Sequence, residues 1–159
     1  MMNKVCLRNR SGIRLRDHQR LAVEHMGTQR SLLVVFGTGQ GKSLTAAFAA
    51  KCLSNIERVV VITKLSIIDQ FRREFAKVWN TNTVSFATIE SFLRKKKKPP
   101  AKGTFLIVDE AHNLRNPRGN NARGIMEFAS QCDKVMLLTA TPFVNGTEDR
   151  AVPHALLTG

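Results

Sequence analysis

Nowhere do eighteen apolar residues run together, so no segment reads as a membrane-crossing helix. The first ten residues are basic and lack the apolar stretch of a secretory signal. Cysteine is scarce. Cys6, Cys52 and Cys132 stand far apart with no CxxC pair, which excludes the spacing of a zinc site or a disulfide framework and reads as three reduced thiols. Acid is short as well: 12 Asp and Glu stand against 25 Lys and Arg, a formal charge of +13. That excess favours a polyanionic partner and salt-dependent binding without naming the polyanion, since ribosomal and membrane-surface proteins can be as basic. These absences leave an intracellular chain of the nucleus or cytoplasm with no membrane partner. What is present suffices for one domain: 43% apolar against 23% charged residues over 159 positions is the mixture of a globule with a real core.

Residues 32–36 form a short apolar run, followed at once by glycines and then by an alanine- and leucine-rich stretch, 43–53, which predicts strand, tight loop and helix. A second run, 59–62, precedes Ile67, Ile68, Phe71, Phe75 and Val78, spaced for the apolar face of a helix. Further strands are expected at 84–87, 105–108 and 135–138, with a helix at 122–129. Alternating strands and helices imply an α/β fold, a mostly parallel sheet with helices on both faces. Several strands are continuous apolar runs, as burial on both faces demands. Arg94 to Pro100 reads RKKKKPP, and 116–121 reads NPRGNN; both are expected as surface loops.

The loop after the first strand is Gly37-Thr38-Gly39-Gln40-Gly41-Lys42-Ser43. Glycines let successive backbone N–H groups turn toward a phosphate, and the following helix offers its positive end. Lys42 can then reach the outer phosphates of ATP while the Ser43 hydroxyl ligates Mg2+. This is a P-loop with one departure, Phe36 where the strict pattern has glycine. Asp109, Glu110, Ala111 and His112 end another apolar strand, where carboxylates face the ligand crevice of such sheets. Asp109 is expected to hold Mg2+ and Glu110 to polarise the attacking water. Thr139-Ala140-Thr141-Pro142 follows the next strand. Hydroxyls there could bond His112 and carry the phosphate state outward, the plain alternative being a Thr-Pro turn.

With these motifs the sequence resembles superfamily 2 helicases and translocases from about Leu15 to Asn145, and the resemblance implies a P-loop NTPase of RecA-like form. Arg14-Leu15-Arg16-Asp17-His18-Gln19 is similar to the family's upstream motif, in which the glutamine, here Gln19, reads the adenine. DEAHNLRN at 109–116 and TATPFVN at 139–145 are similar to the Swi/Snf-like branch of double-stranded DNA translocases, which includes ATPases of large DNA viruses. SIIDQFRREF at 66–75 and Thr88-Ile89-Glu90-Ser91-Phe92 resemble motifs that contact the nucleic-acid backbone, which implies such roles for Ser66 and Thr88. Departures are Lys64-Leu65 where proline is usual and Phe71 for tryptophan. Lys95, Lys96, Lys97 and Lys98 join the nucleic-acid candidates, with a solvated, self-repelling loop as the alternative.

The family closes two RecA-like lobes on ATP, and the second supplies an arginine finger. The expected organisation is a basic segment, 1–14, then an ATP-binding first lobe, 15–159, with the second lobe to come in cis or in trans. That implies a motor lobe acting on nucleic acid, duplex DNA by branch, with near-inactive hydrolysis alone. A regulatory module that binds nucleotide and nucleic acid without turnover is the competing reading, against which stand the intact Lys42, Asp109 and Glu110. A small P-loop kinase would carry a substrate lid instead of the DEAH and TATP motifs.

Overall fold

The computed structural model describes residues 12–36, 41–79, 81–111 and 119–140. Helix α1 (Asp17–Thr28) leads into strand β1 (Ser31–Val35), helix α2 (Lys42–Cys52), strand β2 (Arg58–Ile62) and helix α3 (Leu65–Val78). A 3-10 turn at Thr81–Thr83 precedes β3 (Val84–Ala87), α4 (Ile89–Arg94), β4 (Thr104–Asp109), α5 (Asn120–Gln131) and β5 (Lys134–Thr139). The strands form one sheet in the order β1-β5-β4-β2-β3, every pairing parallel. The expected α/β fold is therefore observed.

Burial explains the apolar runs. All six residues of β4, at the centre of the sheet, are buried, whereas the edge strands β1 and β3 are only partly so. Along one strand, neighbours face opposite layers. Val59, Val61, Phe105, Ile107, Met136 and Leu138 pack with α1, α2 and α3, while Val60, Ile62, Leu106, Val108, Val135 and Leu137 pack with α4 and α5. Each large side chain so enclosed contributes about 1.5–3 kcal/mol relative to exposure, and a polar swap has no face left to turn to.

One helix was not expected, and two expectations change in detail. Helix α1, with no strong apolar period, is held by Ala22, Val23 and Met26 in the core. Asn120 and Asn121, read as loop, begin α5; turn-forming composition is equally at home in a helix's first turn. Cys132 is a free buried thiol, but Cys52 is disulfide-bonded, its partner outside the described residues. Spacing in sequence did not exclude that link because the fold, not the chain, sets which sulfurs meet.

The amino edge of the sheet, where helices end and strands begin, is a row of cations on carbonyls. Lys134 donates to the carbonyls of Met26 and Gln29 at the end of α1. Arg30 donates to those of Ala129 and Ser130 at the end of α5, both at 2.8 Å. Arg58 reaches the Pro100 and Lys102 carbonyls and the Thr104 hydroxyl at 3.0, 2.6 and 3.2 Å. A helix C-terminus leaves carbonyls unpaired and carries partial negative charge, so cations are the matching groups.

Candidate functional site

The carboxyl edge gathers the candidates. Gly41 caps α2 in the left-handed region at φ 75° and so opens the helix with no side-chain cap. First-turn N–H groups in that state are a ready anion site. Lys42 and the buried Ser43 are the first two residues of α2. Gly37, Thr38, Gly39 and Gln40 lie outside the described residues.

Lys42 crosses the crevice to the acidic strand end, its Nζ 3.9 Å from Asp109 Oδ1 and 3.5 Å from Glu110 Oε1. Asp109 is almost wholly buried, its side chain 4% exposed. Its Oδ2 accepts the Thr63 hydroxyl at 2.9 Å, while Oδ1, also buried, has no hydrogen-bond partner among the described residues. Burial pushes the Asp109 carboxyl above its ordinary range, against the lowering effects of the Thr63 hydroxyl and of Lys42. Glu110 sits at φ 55°, a left-handed conformation that costs a non-glycine residue about 1–2 kcal/mol. Strain of this kind concentrates where geometry serves function.

Sequence reasoning missed Thr63. Only the strand pairing reveals it: β2 and β4 pair Ile62 with Val108, so the next residues, Thr63 and Asp109, stand at one level.

Gln19 is buried rather than an exposed helical amide. Its Oε1 accepts the Arg16 N–H at 2.8 Å and its Nε2 donates to the Gly41 carbonyl at 3.2 Å, tying the upstream motif to the phosphate loop. A side chain on Gly41 would collide with that amide, whose nitrogen stands 2.2 Å from where a Cβ would be. Phe36, the departure from the strict loop, is buried and meets the His18 ring edge-on at 4.7 Å. The position that lacks glycine thus packs against the upstream motif.

Ser66 is exposed in the first turn of α3, after β2, and Thr88 caps α4, after β3, accepting the Ser91 N–H at 3.1 Å. Both stand at the carboxyl edge as expected. The lysine run does not. Helix α4 leaves that edge at Thr88, so Lys95, Lys96, Lys97 and Lys98 follow its far end, and the loop runs on to the carbonyls held by Arg58 at the amino edge. Lys98 Nζ turns back to the Leu93 and Lys95 carbonyls, both at 3.3 Å. The run's place between two motifs in sequence did not carry it to their edge, because the helix between them spans the layer. Thr139 ends β5, fully buried, and its carbonyl accepts the Phe36 N–H at 3.1 Å. His112 and Thr141 lie outside the described residues. Among those described, no helix is long and apolar enough to cross a membrane.

Residues 12–144 match the family described as type III restriction enzyme, res subunit. A protein of Acanthamoeba polyphaga mimivirus, L538, named provisionally as an ATP-dependent RNA helicase, is 30% identical over 143 residues, covering 87% of this chain and 31% of that protein. Among solved structures, the Sulfolobus solfataricus SWI2/SNF2 ATPase core in complex with double-stranded DNA superposes with a TM-score of 0.73 at 18% identity, covering 92% of this chain and 35% of that one. The UvsW helicase of bacteriophage T4 gives 0.72 at 14% identity, covering 94% and 60%. This chain thus spans about a third of the mimivirus relative, and the solved structures share its fold. The chain belongs to the type III restriction enzyme res-subunit family, and it has the parallel α/β fold seen in the SWI2/SNF2 ATPase core and the UvsW helicase.

Proposed function

We propose that this chain is the ATP-binding lobe of a nucleic-acid motor, with Lys42, Ser43, Asp109 and Glu110 as its chemical centre. The observation that carries the reading is the convergence of the Lys42 ammonium on two carboxylates from a different strand, at 3.9 and 3.5 Å. Lys42 neutralises phosphate charge when nucleotide arrives, and the open first turn of α2 receives the phosphate oxygens on its N–H groups. Glu110, held close to Lys42 in a strained backbone, orients and deprotonates the attacking water. The buried Asp109 Oδ1, which has no hydrogen-bond partner among the described residues, suits a magnesium ion, with Ser43 as the second ligand. Bound magnesium neutralises charge on the phosphates. Gln19 keeps the adenine side of the site in register with the loop.

Nucleic acid, duplex DNA in this reading, lies along the carboxyl edge by Ser66 and Thr88. Lys95 to Lys98 contribute at most long-range attraction from elsewhere on the surface. A second RecA-like lobe, in cis or in trans, supplies the arginine finger. Without it hydrolysis falls by about 10³ to 10⁵, the worth of such a finger in phosphoryl transfer.

Calorimetry with Mg-ADP tests the site. Lys42→Ala removes a charge-assisted contact worth about 1.5–3 kcal/mol, so affinity should fall about 10- to 100-fold in a protein that still folds. Equal affinity in both forms would refute the assignment. Fast turnover by the 159-residue chain alone, abolished in Glu110→Gln, would keep Glu110 as the base and overturn the need for a second lobe.

A further inference from the structure

Asp109 has two oxygens in unlike surroundings. Oδ2 is bonded to the Thr63 hydroxyl, and Oδ1 is buried without a hydrogen-bond partner among the described residues, on the side of Lys42. A carboxylate's terminal torsion is broad and roughly two-fold, so nothing intrinsic to aspartate keeps its oxygens from exchanging places. We infer that Thr63 is a positioning residue for the nucleotide site: its hydroxyl ties one Asp109 oxygen back to β2 and so holds the other toward the phosphate loop. This rests on the reading of Asp109 as a magnesium ligand and adds to it the group that sets its orientation.

Thr63 is built for the task. Its N–H donates to the Ala87 carbonyl at 3.0 Å, which continues the β2–β3 ladder and fixes the backbone on the side away from Asp109. Thr63 is 5% exposed, and a β-branched residue has few χ1 choices in so enclosed a place. An ionised carboxylate only accepts, so the hydroxyl proton points at Oδ2. The distance, 2.9 Å, is that of a good bond, formed between the ends of neighbouring strands and not within a mobile turn. Lys42 at 3.9 Å is too far to hold Oδ1 by a hydrogen bond, so this carboxylate is held by the Thr63 hydroxyl from the neighbouring strand and by the backbone of its own neighbour Glu110, and only the first ties it to β2.

A purely structural hydroxyl would matter to stability and equally to every form of binding. A positioning hydroxyl matters only where the second oxygen is used. The readout is therefore the magnesium gain, the ratio of ADP dissociation constants measured by calorimetry in EDTA and in magnesium. Thr63→Val, a methyl for a hydroxyl at constant volume, should cut that gain about tenfold, the order of one hydrogen bond to a charged group, and leave affinity in EDTA within about twofold. Thr63→Ser should restore most of the gain. Circular dichroism checks folding; should the valine form not fold, Thr63→Ala is read by the same ratio. A folded valine or alanine form with the wild-type gain overturns the inference, and so does an equal loss with and without magnesium. Asp109→Ala separates the two layers: a gain that survives in it removes the magnesium reading and Thr63's role together, whereas a gain lost in Asp109→Ala but intact in Thr63→Val removes Thr63 alone.

Discussion

The two edges of the sheet use charge in opposite ways. At the amino edge, Arg30, Arg58 and Lys134 each meet two or more oxygens and close off helix ends or a loop. At the carboxyl edge an aspartate is buried with one oxygen lacking a hydrogen-bond partner among the described residues, a glutamate sits at φ 55°, and Leu65 is 78% exposed. One edge matches cations to carbonyls, and the other gathers a lysine and two carboxylates into one crevice. The contrast also revises what the net charge means. Part of the +13 is occupied by the protein's own carbonyls, so basicity overstates the surface offered to a polyanion.

Substitutions at the two edges should therefore separate stability from binding. The largest stability effect is expected for Arg58→Ala. Hydrogen bonds from charged groups are worth about 1.5–3 kcal/mol, and each kcal/mol moves the midpoint of a domain this size by about 2–4 °C. A fall of roughly 5–10 °C by differential scanning calorimetry, with ADP affinity unchanged, would support the division; a loss of affinity would break it.

Asp109→Asn should move the other way. Burial raises the Asp109 carboxyl, so at neutral pH the charge it carries is a cost to the fold. Removing that charge should raise the melting midpoint and abolish the magnesium gain. The gain in stability should be full well above the folded pKa. It should vanish in acid, where the wild-type carboxyl is neutral in both folded and unfolded chains. A midpoint that drops at pH 7.5 would show that the ionised form is net favourable where it stands.

Smaller effects follow at the lysine loop. Lys95, Lys96 and Lys97 have no ion-pair partner among the described residues, so replacing all three with glutamine should leave the midpoint within about 1 °C. In fluorescence anisotropy with duplex DNA, the slope of log affinity against log salt should change by no more than about three phosphates' worth, at about 0.9 each. Collapse of binding in that variant would move the nucleic-acid track away from Ser66 and Thr88. The smallest effect concerns Cys132, whose thiol burial pushes up to about 12. A thiol reagent at pH 8 should leave it unmodified in the folded chain and label it once denatured; labelling of the folded form would show that this end of α5 opens.

Most of the fold was legible because a sheet buried on both faces writes itself as apolar runs. β2, β4 and β5 fall within one or two residues of their expected bounds. The meeting of Lys42 with Asp109 and Glu110 was legible because the start of a helix after one strand and the end of another strand face the same crevice in such a sheet. Thr63 was not, since a threonine after an apolar run has no signature until the strand order sets it beside Asp109. The lysine loop misled for a related reason: nearness along the chain says nothing of which edge a loop reaches once a helix intervenes. Nor could the pattern show that Gln19 would be buried against Gly41, a contact between residues 22 positions apart.

The hydrogen bond from the Phe36 N–H to the Thr139 carbonyl prolongs the β1–β5 ladder one step past Val35. Phe36, just past the end of β1, and Thr139, at the end of β5, thus share a clasp. Such a clasp works as a mechanical linkage with almost no slack: a hydrogen bond weakens steeply over a few tenths of an ångström, so a tug on one strand of chain either drags the other or parts the link. In the proposed reading, a load on the chain beyond Thr139 would be felt first where the phosphate loop begins, and strain entering there would be passed back by the same route.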